Sequence, residues 1–210
     1  MKIAILGAGS VGATLGKAWS KQGHEVIFGV RDINAPKVQT LLAETENKAI
    51  AGTLAEAAQQ AEVVVLTVPW ESVFEVLQVV GTLDGKILLD ATNPLIANRL
   101  DSAVELSKSG SEQVATWFTG ARVVKIFNTI GWEVMDNPQF GSESATLFYA
   151  GDDAEAKQIA ADLARVIGFE PIDAGNLALS KFLESLGSFW GQLAYGQGMG
   201  RNIAWRLLRR

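Results

Sequence analysis

The chain has 210 residues, 48% of them hydrophobic and 20% charged, with a net charge of −5, one histidine and no cysteine. That length supports one substantial core, with or without a small appendage, and the acidic balance argues against a nucleic-acid partner. Without cysteine there are no disulfides, thiolate nucleophiles, cysteine-ligated zinc sites or iron–sulfur clusters.

The first apolar run, 3–6, follows Met1 and Lys2 with no signal-like segment, and no apolar run approaches bilayer length. A cytoplasmic protein without a membrane span is expected. Gly7, Gly9 and Gly12 follow in the order GxGxxG, and residues 11–21 have a helical pattern. In such a strand–turn–helix, Gly7 permits the tight turn and Gly9 lets the backbone approach a pyrophosphate. Gly12 lets helix and strand pack closely, and the helix start offers unpaired N–H groups to phosphate.

Gly23 and His24 turn into a second strand, 26–29, and residues 35–45 are helical after a loop. Thr53 and Glu56 form a capping box for a helix over 54–61. Residues 63–67 (VVVLT) suit a buried parallel strand, and Pro69 suits the start of a helix over 71–80. Then come a strand at 86–90, a turn at Asn93-Pro94, a helix at 111–118 and a strand at 122–127 (RVVKIF). A strand at 146–150, a helix at 154–167 and a strand at 170–173 complete the series.

This alternation implies an α/β, Rossmann-type doubly wound, mainly parallel sheet. Residues 1–176 are expected to make the dinucleotide-binding domain, and 177–210 a short helical C-terminal extension packed on it. The extension holds Gly187, Gly191, Gly196, Gly198 and Gly200, which suit close helix packing more than a loop approaching a ligand. It ends in Arg201, Arg206, Arg209 and Arg210, most simply a solvated helix end, with a membrane-surface role the lesser alternative.

NAD-specific folds place an acid about 20 residues beyond the glycines to hold the ribose. Here the second strand ends FGVRD, and Arg31 is placed to grip a 2′-phosphate with a bidentate fork, Lys37 assisting. NADP(H) is therefore favoured over NAD. Asp32 competes, either as the ribose ligand or as a partner orienting Arg31.

Candidate proton donors are few. His24 lies in a turn, Tyr149 and Tyr195 suit packing, and Lys125 in RVVKIF is the candidate acid. A flavin-type ring is itself an electron sink, so a site poor in titrating groups suits hydride transfer to it. Trp70, Trp132 and Trp190 suit packing more than ring stacking, and Asp90 suits a turn or network carboxylate more than an acid catalyst.

The segments ILGAGSVG, GVRD, TVPW (67–70), DATNP (90–94), VVKIFNTIG (123–131) and IDAG (172–175) together resemble the NADPH-dependent coenzyme F420 reductases. DATNP and VVKIFNTIG are still more similar to the cytosolic oxidoreductase domain of the six-transmembrane metalloreductases, which pass hydride from NADPH to FAD. The resemblance spans nearly the whole chain. It implies that Gly7, Gly9 and Gly12, with the amides of Ser10 and Val11, cradle the pyrophosphate and that Arg31 reads the 2′-phosphate. It implies that Thr67, Val68, Pro69 and Trp70 form a loop over the dinucleotide and that Asn93 and Pro94 lie beside the nicotinamide ribose. Ile126 to Thr129 would flank the ring-stacking site, with Asn128, where relatives tend to carry His, as the catalytic candidate. Val30 and Asp32 depart from the Ser and second Arg common after strand two in deazaflavin reductases, which leaves FMN and FAD open beside the deazaflavin coenzyme F420.

The implied activity is hydride transfer between NADP(H) and a small-molecule flavin or deazaflavin, in a homodimer. The alternatives are an imine or hydroxyacid reductase using Lys125, and a non-catalytic NADP-sensing module.

Overall fold

Strands of nearly unbroken apolar sequence build the centre of the molecule. β1 (Lys2–Leu6), β4 (Val63–Leu66) and β5 (Ile87–Asp90) are buried almost throughout, as strands covered on both faces must be. The computed structural model describes residues 1–46, 48–96, 99–103 and 108–210. With β2 (Glu25–Gly29), β3 (Ala49–Gly52), β8 (Arg122–Lys125), β11 (Thr146–Gly151) and β12 (Glu170–Asp173) these strands form one sheet, ordered β12-β11-β8-β5-β4-β1-β2-β3. Every pairing is parallel except β8 with β11.

Two hairpins stand apart from the sheet, β6 (Leu95–Ile96) with β7 (Arg99–Ala103), and β9 (Gln139–Phe140) with β10 (Glu143–Ser144). Side chains alternate across the strands into two cores. Ile3, Ile5, Val63, Val65 and Leu89 meet α1 (Ser10–Lys21), α2 (Pro36–Glu44), α6 (Trp132–Asp136) and α7 (Ala154–Arg165) on one face. Ala4, Leu6, Val64, Leu66 and Leu88 meet α3 (Leu54–Gln60), α4 (Trp70–Val80) and α5 (Gly110–Trp117) on the other. This is the expected doubly wound arrangement. The strand order reverses between β1 and β4, and the carboxyl ends of the strands meet at that crevice.

The capping box forms as expected, with the Thr53 hydroxyl accepting from the Glu56 amide and the Glu56 carboxylate accepting from the Thr53 amide. Other boundaries shift. The strand expected to run to Phe127 stops at Lys125, because Phe127 takes a left-handed backbone with φ 67°. Its ring is wedged edge-on between Trp19, at 5.8 Å, and Phe169, at 6.3 Å. That packing holds a bulky residue in a conformation that costs about 1–3 kcal/mol. Edge strand β3, both hairpins and the five-residue helix α6 carry too little apolar periodicity to be seen in the sequence.

The C-terminal extension also differs from expectation. It is helical only through α8 (Ser180–Gly191) and short turns at Leu177–Leu179 and Gln192–Gly196. Residues 197–210 contain no regular element, so the arginines do not end a helix. Arg201 pairs with Glu133 at 2.8 Å, and Arg206 with Glu143 at 2.7 Å and with Glu170. Thr146 donates its amide to Trp205 O at 2.8 Å, so the strap lies along the start of β11. No helix among the described residues is long and apolar enough to cross a membrane.

Close helix–sheet contact is testable at Gly16, where an added Cβ would lie 2.3 and 2.5 Å from ring atoms of buried Phe28. Gly16→Ala should destabilise the fold by about 1–3 kcal/mol. Urea unfolding reads this directly, and an unchanged midpoint would contradict the packing described.

Candidate functional site

At the carboxyl ends of β1, β2 and β4 a cavity of about 650 Å³ runs from Gly7, Ala8 and Gly9 to Arg31 and Lys37. Its near end is a backbone cradle. Gly7 turns the chain out of β1 with φ +111°, a conformation that only glycine adopts freely. A Cβ on Gly12 would lie 2.1 Å from Gly7 O, so helix α1 meets this turn with no room to spare. The Thr67 hydroxyl lies 3.0 Å from both Leu6 O and Gly7 O and donates between them, pinning the turn to the end of β4.

Gly9 behaves differently. It caps α1 with an ordinary extended backbone, and a Cβ there would meet nothing within 4 Å. No contact within the protein therefore requires glycine at this position. A ligand pressed against the backbone would. The first amide of α1 to find a carbonyl is Ala13 N, on Gly9 O at 2.8 Å, so the amides of Ser10, Val11 and Gly12 have no acceptor within the helix. Free amides, a bare Cα and the positive end of a helix fit a pyrophosphate.

The far end is basic. Arg31 and Asp32 are exposed beyond β2, but Asp32 Oδ1 accepts from the Asn34 amide at 2.9 Å and so shapes its own loop. Val68, Pro69, Ser72, Val76 and Val79 wall one side of the slot, and Thr53 and Leu54 the other. Behind Thr53, the Glu56 carboxyl is held below the usual carboxylate range, chiefly by the Thr53 backbone N–H. Trp70 is not at the cavity. It stacks on Trp117 at 5.7 Å. Trp190 donates its indole N–H to Ile203 O at 2.9 Å, and Trp132 lies under Arg201.

Beside this crevice, at the ends of β5 and β8, lies a second and buried cluster. Asn128 donates its Nδ2 to Asn93 Oδ1 and to Leu183 O, both at 2.9 Å, and Asn93 Nδ2 donates to Asn128 O at 2.8 Å. Asn128 is 5% exposed, and its Oδ1 accepts no hydrogen bond among the described residues. Helix α8 lies directly on this pair, since a Cβ on Gly187 would sit 2.7 Å from Asn128 O. Pro94 and Ile126 are buried in the same region.

Lys125 does not stand at an open surface. It is 0% exposed and its Nζ reaches Asp90 Oδ2 at 3.0 Å, Thr92 O at 2.6 Å and Glu184 Oε1 at 3.2 Å. The ammonium donates to Asp90 and Thr92 and pairs with Glu184 inside the protein, which argues against Lys125 as a proton donor to substrate. Asp90 is the network carboxylate that its position suggested. It also accepts from Ser111 Oγ at 2.5 Å and from Thr92 N and Oγ1 at 2.9 and 2.7 Å. Glu184 and Ser111, which sequence reasoning did not single out, complete the network, with Glu184 accepting from the Gly110 and Ser111 amides at 3.0 and 3.2 Å. His24 precedes β2, at the opposite end of the strands, and burial lowers its pKa.

The chain is similar to known proteins over most of its length. Residues 2–94 match the family model described as NADP oxidoreductase, coenzyme F420-dependent. The F420-dependent NADP reductase of Methanothermobacter marburgensis is 34% identical over 200 residues, covering 89% of this chain and 89% of that protein. The metalloreductase STEAP3 of Rattus norvegicus is 30% identical over 186 residues, and the chain spans only 36% of its length. The crystal structure of a putative F420-dependent NADP-reductase from Arthrobacter sp. FB24 superposes over all of both chains with TM-score 0.89 and 32% identity. A reductive aminase from Aspergillus terreus, solved with NADPH, shares the fold with TM-score 0.67 and 21% identity. The fold and the cradle define a Rossmann-type domain with a site shaped for a dinucleotide. The chain belongs to the F420-dependent NADP reductase family.

The cradle yields a paired prediction. Gly9→Ala should leave the unfolding midpoint within about 1 kcal/mol of the parent while weakening NADPH binding at least about tenfold. Gly12→Ala should lose both stability and binding. Titration of NADPH fluorescence alongside thermal melts separates the two, and tight binding by Gly9→Ala would remove the pyrophosphate from this turn.

Proposed function

We propose that the protein transfers hydride from NADPH to the ring of a flavin or deazaflavin, with Arg31 and Lys37 reading the 2′-phosphate. The burial of Lys125 carries the choice of acceptor class. The strand-borne group best placed to act as an acid is consumed by two carboxylates and a carbonyl. A carbonyl or imine acceptor needs a proton donor close to the reacting atom, whereas a ring acceptor takes hydride with its proton coming from solvent. The near full-length likeness to an F420-dependent NADP reductase supports the same class.

When bound, the reduced nicotinamide supplies the hydride, and the chain supplies position. The α1 amides and the Gly7 turn hold the pyrophosphate, and Thr67 fixes that turn against β4. Asn93 and Asn128, locked to each other and to α8, shape the end where the two rings meet. Burial by α8 keeps that end dry. Holding two rings in contact suffices for direct hydride transfer.

NADPH oxidation followed at the nicotinamide absorbance, with the deazaflavin coenzyme, FMN, FAD and a ferric chelate in turn and NADH in parallel, tests the proposal. Turnover with a ring acceptor and preference for NADPH is expected. Saturable NADPH binding without oxidation by any ring acceptor would overturn it.

Arg31→Ala should weaken NADPH about tenfold or more and leave NADH nearly unchanged, because it removes a charge-assisted pair that only the 2′-phosphate makes. Equal losses for both nucleotides would place the 2′-phosphate elsewhere. Asn128→Ala should lower kcat roughly tenfold to a hundredfold through misalignment while changing the NADPH Kd far less. An unchanged kcat would remove Asn128 from the site.

A further inference from the structure

Asp90, Lys125 and Glu184 are the ionisable side chains among the buried polar residues described, at 0%, 0% and 8% exposure. Two carboxylates face one ammonium, so with all three groups ionised the cluster carries one surplus negative charge, centred on the fully buried Asp90–Lys125 pair. The hydrogen bonds it receives, from Ser111, Thr92 and the first amides of α5, spread that charge without cancelling it. Nearby, Asn128 Oδ1 is a second uncompensated electronegative atom on a nearly buried residue. Both border the same turn. Lys125 Nζ and Asp90 Oδ1 bond directly to Thr92, and Asn128 bonds to Asn93. In water such a charge is damped by the high dielectric and screened by salt over about 8–10 Å, whereas in the interior its field persists across neighbouring groups.

We infer that the Asp90–Lys125–Glu184 cluster is an electrostatic bias on the nicotinamide, favouring the cationic oxidised ring over the neutral reduced one. The inference rests on the proposed placement of the nicotinamide beside the Thr92–Asn93 turn. A negative interior at that place binds NADP⁺ more tightly relative to NADPH and so favours loss of hydride from the reduced form. Lys125 then acts as a counter-ion that sets the size of the bias, and no proton leaves it. Asp90 and Glu184 act through space and through the turn they hold, so they are positioning residues.

The test is the ratio of the NADP⁺ and NADPH dissociation constants, measured by titration calorimetry with no acceptor present. Glu184→Gln and Asp90→Asn each remove the surplus charge while keeping shape, and each should raise Kd(NADP⁺)/Kd(NADPH) roughly fivefold. Lys125→Met doubles the surplus charge and should lower the ratio. Ser111→Ala removes a hydrogen bond without changing charge and should lower the melting temperature while leaving the ratio alone. Opposite movements in the acidic and lysine variants support the inference, because a purely structural role moves all variants the same way. If Lys125→Met fails to fold, the two neutralised variants against Ser111→Ala still decide. An unchanged ratio in the folded neutralised variants, or a ratio that moves equally in Ser111→Ala, overturns it. Because no acceptor takes part, this result is independent of whether flavins or deazaflavins are reduced.

Discussion

One buried ammonium organises the end of the sheet where chemistry is proposed. Lys125 closes β8 opposite Asp90, which closes β5, and the two are cross-strand partners in the parallel register. Glu184 brings α8 to the same nitrogen and at the same time caps the first amides of α5. The turn after β5 is held by its carbonyl to Lys125 and by its amide and hydroxyl to Asp90. Removing one partner from such an arrangement leaves a stranded interior charge, at a cost of about 3–5 kcal/mol. Two strands, two helices and a turn are thus fixed to one another by charge and not by apolar packing alone. The placement of Asn93, Asn128 and Gly187 follows from that fixation.

The two halves of the crevice are built on different physics. The dinucleotide half is open and made largely of backbone, with a pinned glycine turn, a helix start with free amides and a bare Cα at Gly9. Such a surface binds by complementarity to phosphate and needs little from side chains until Arg31. The other half is covered by α8 and made of amides and ions with almost every partner satisfied. The left-handed residue Phe127, held by Trp19 and Phe169, reverses the chain from β8 into this half. Tension between local preference and position falls where function is proposed, as strain often does.

Much of this was legible in the residues. Apolar runs of four to five residues separated by helical patterns give the doubly wound sheet, and the glycine spacing gives the cradle with its free amides. The Asp90–Lys125 pair also leaves a trace in the sequence. Each is the last residue of an otherwise apolar strand, ILLD and RVVK, and adjacent parallel strands of equal length place such residues side by side. Glu184 left none, because its role depends on how α8 crosses the sheet, and a carboxylate on an amphipathic helix usually faces solvent. The extended strap was hidden for a similar reason. Trp205 and Arg206 are fixed by partners at Thr129, Thr146 and Glu143, all more than fifty residues away, while their local sequence resembles a helix end. Trp70, adjacent to the cavity loop in sequence, is drawn instead to Trp117.

If alignment of two rings is the whole of the chemistry, the hydrogen that leaves the nicotinamide must arrive on the acceptor without visiting solvent. NADPH carrying deuterium at one face of C4, mixed with a 5-deazaflavin whose C5–H bond does not exchange, reports this by mass spectrometry of the reduced acceptor. The account predicts full retention of deuterium for one face and none for the other. Deuterium lost to water from both faces, or found equally from both, would contradict direct transfer in a fixed geometry.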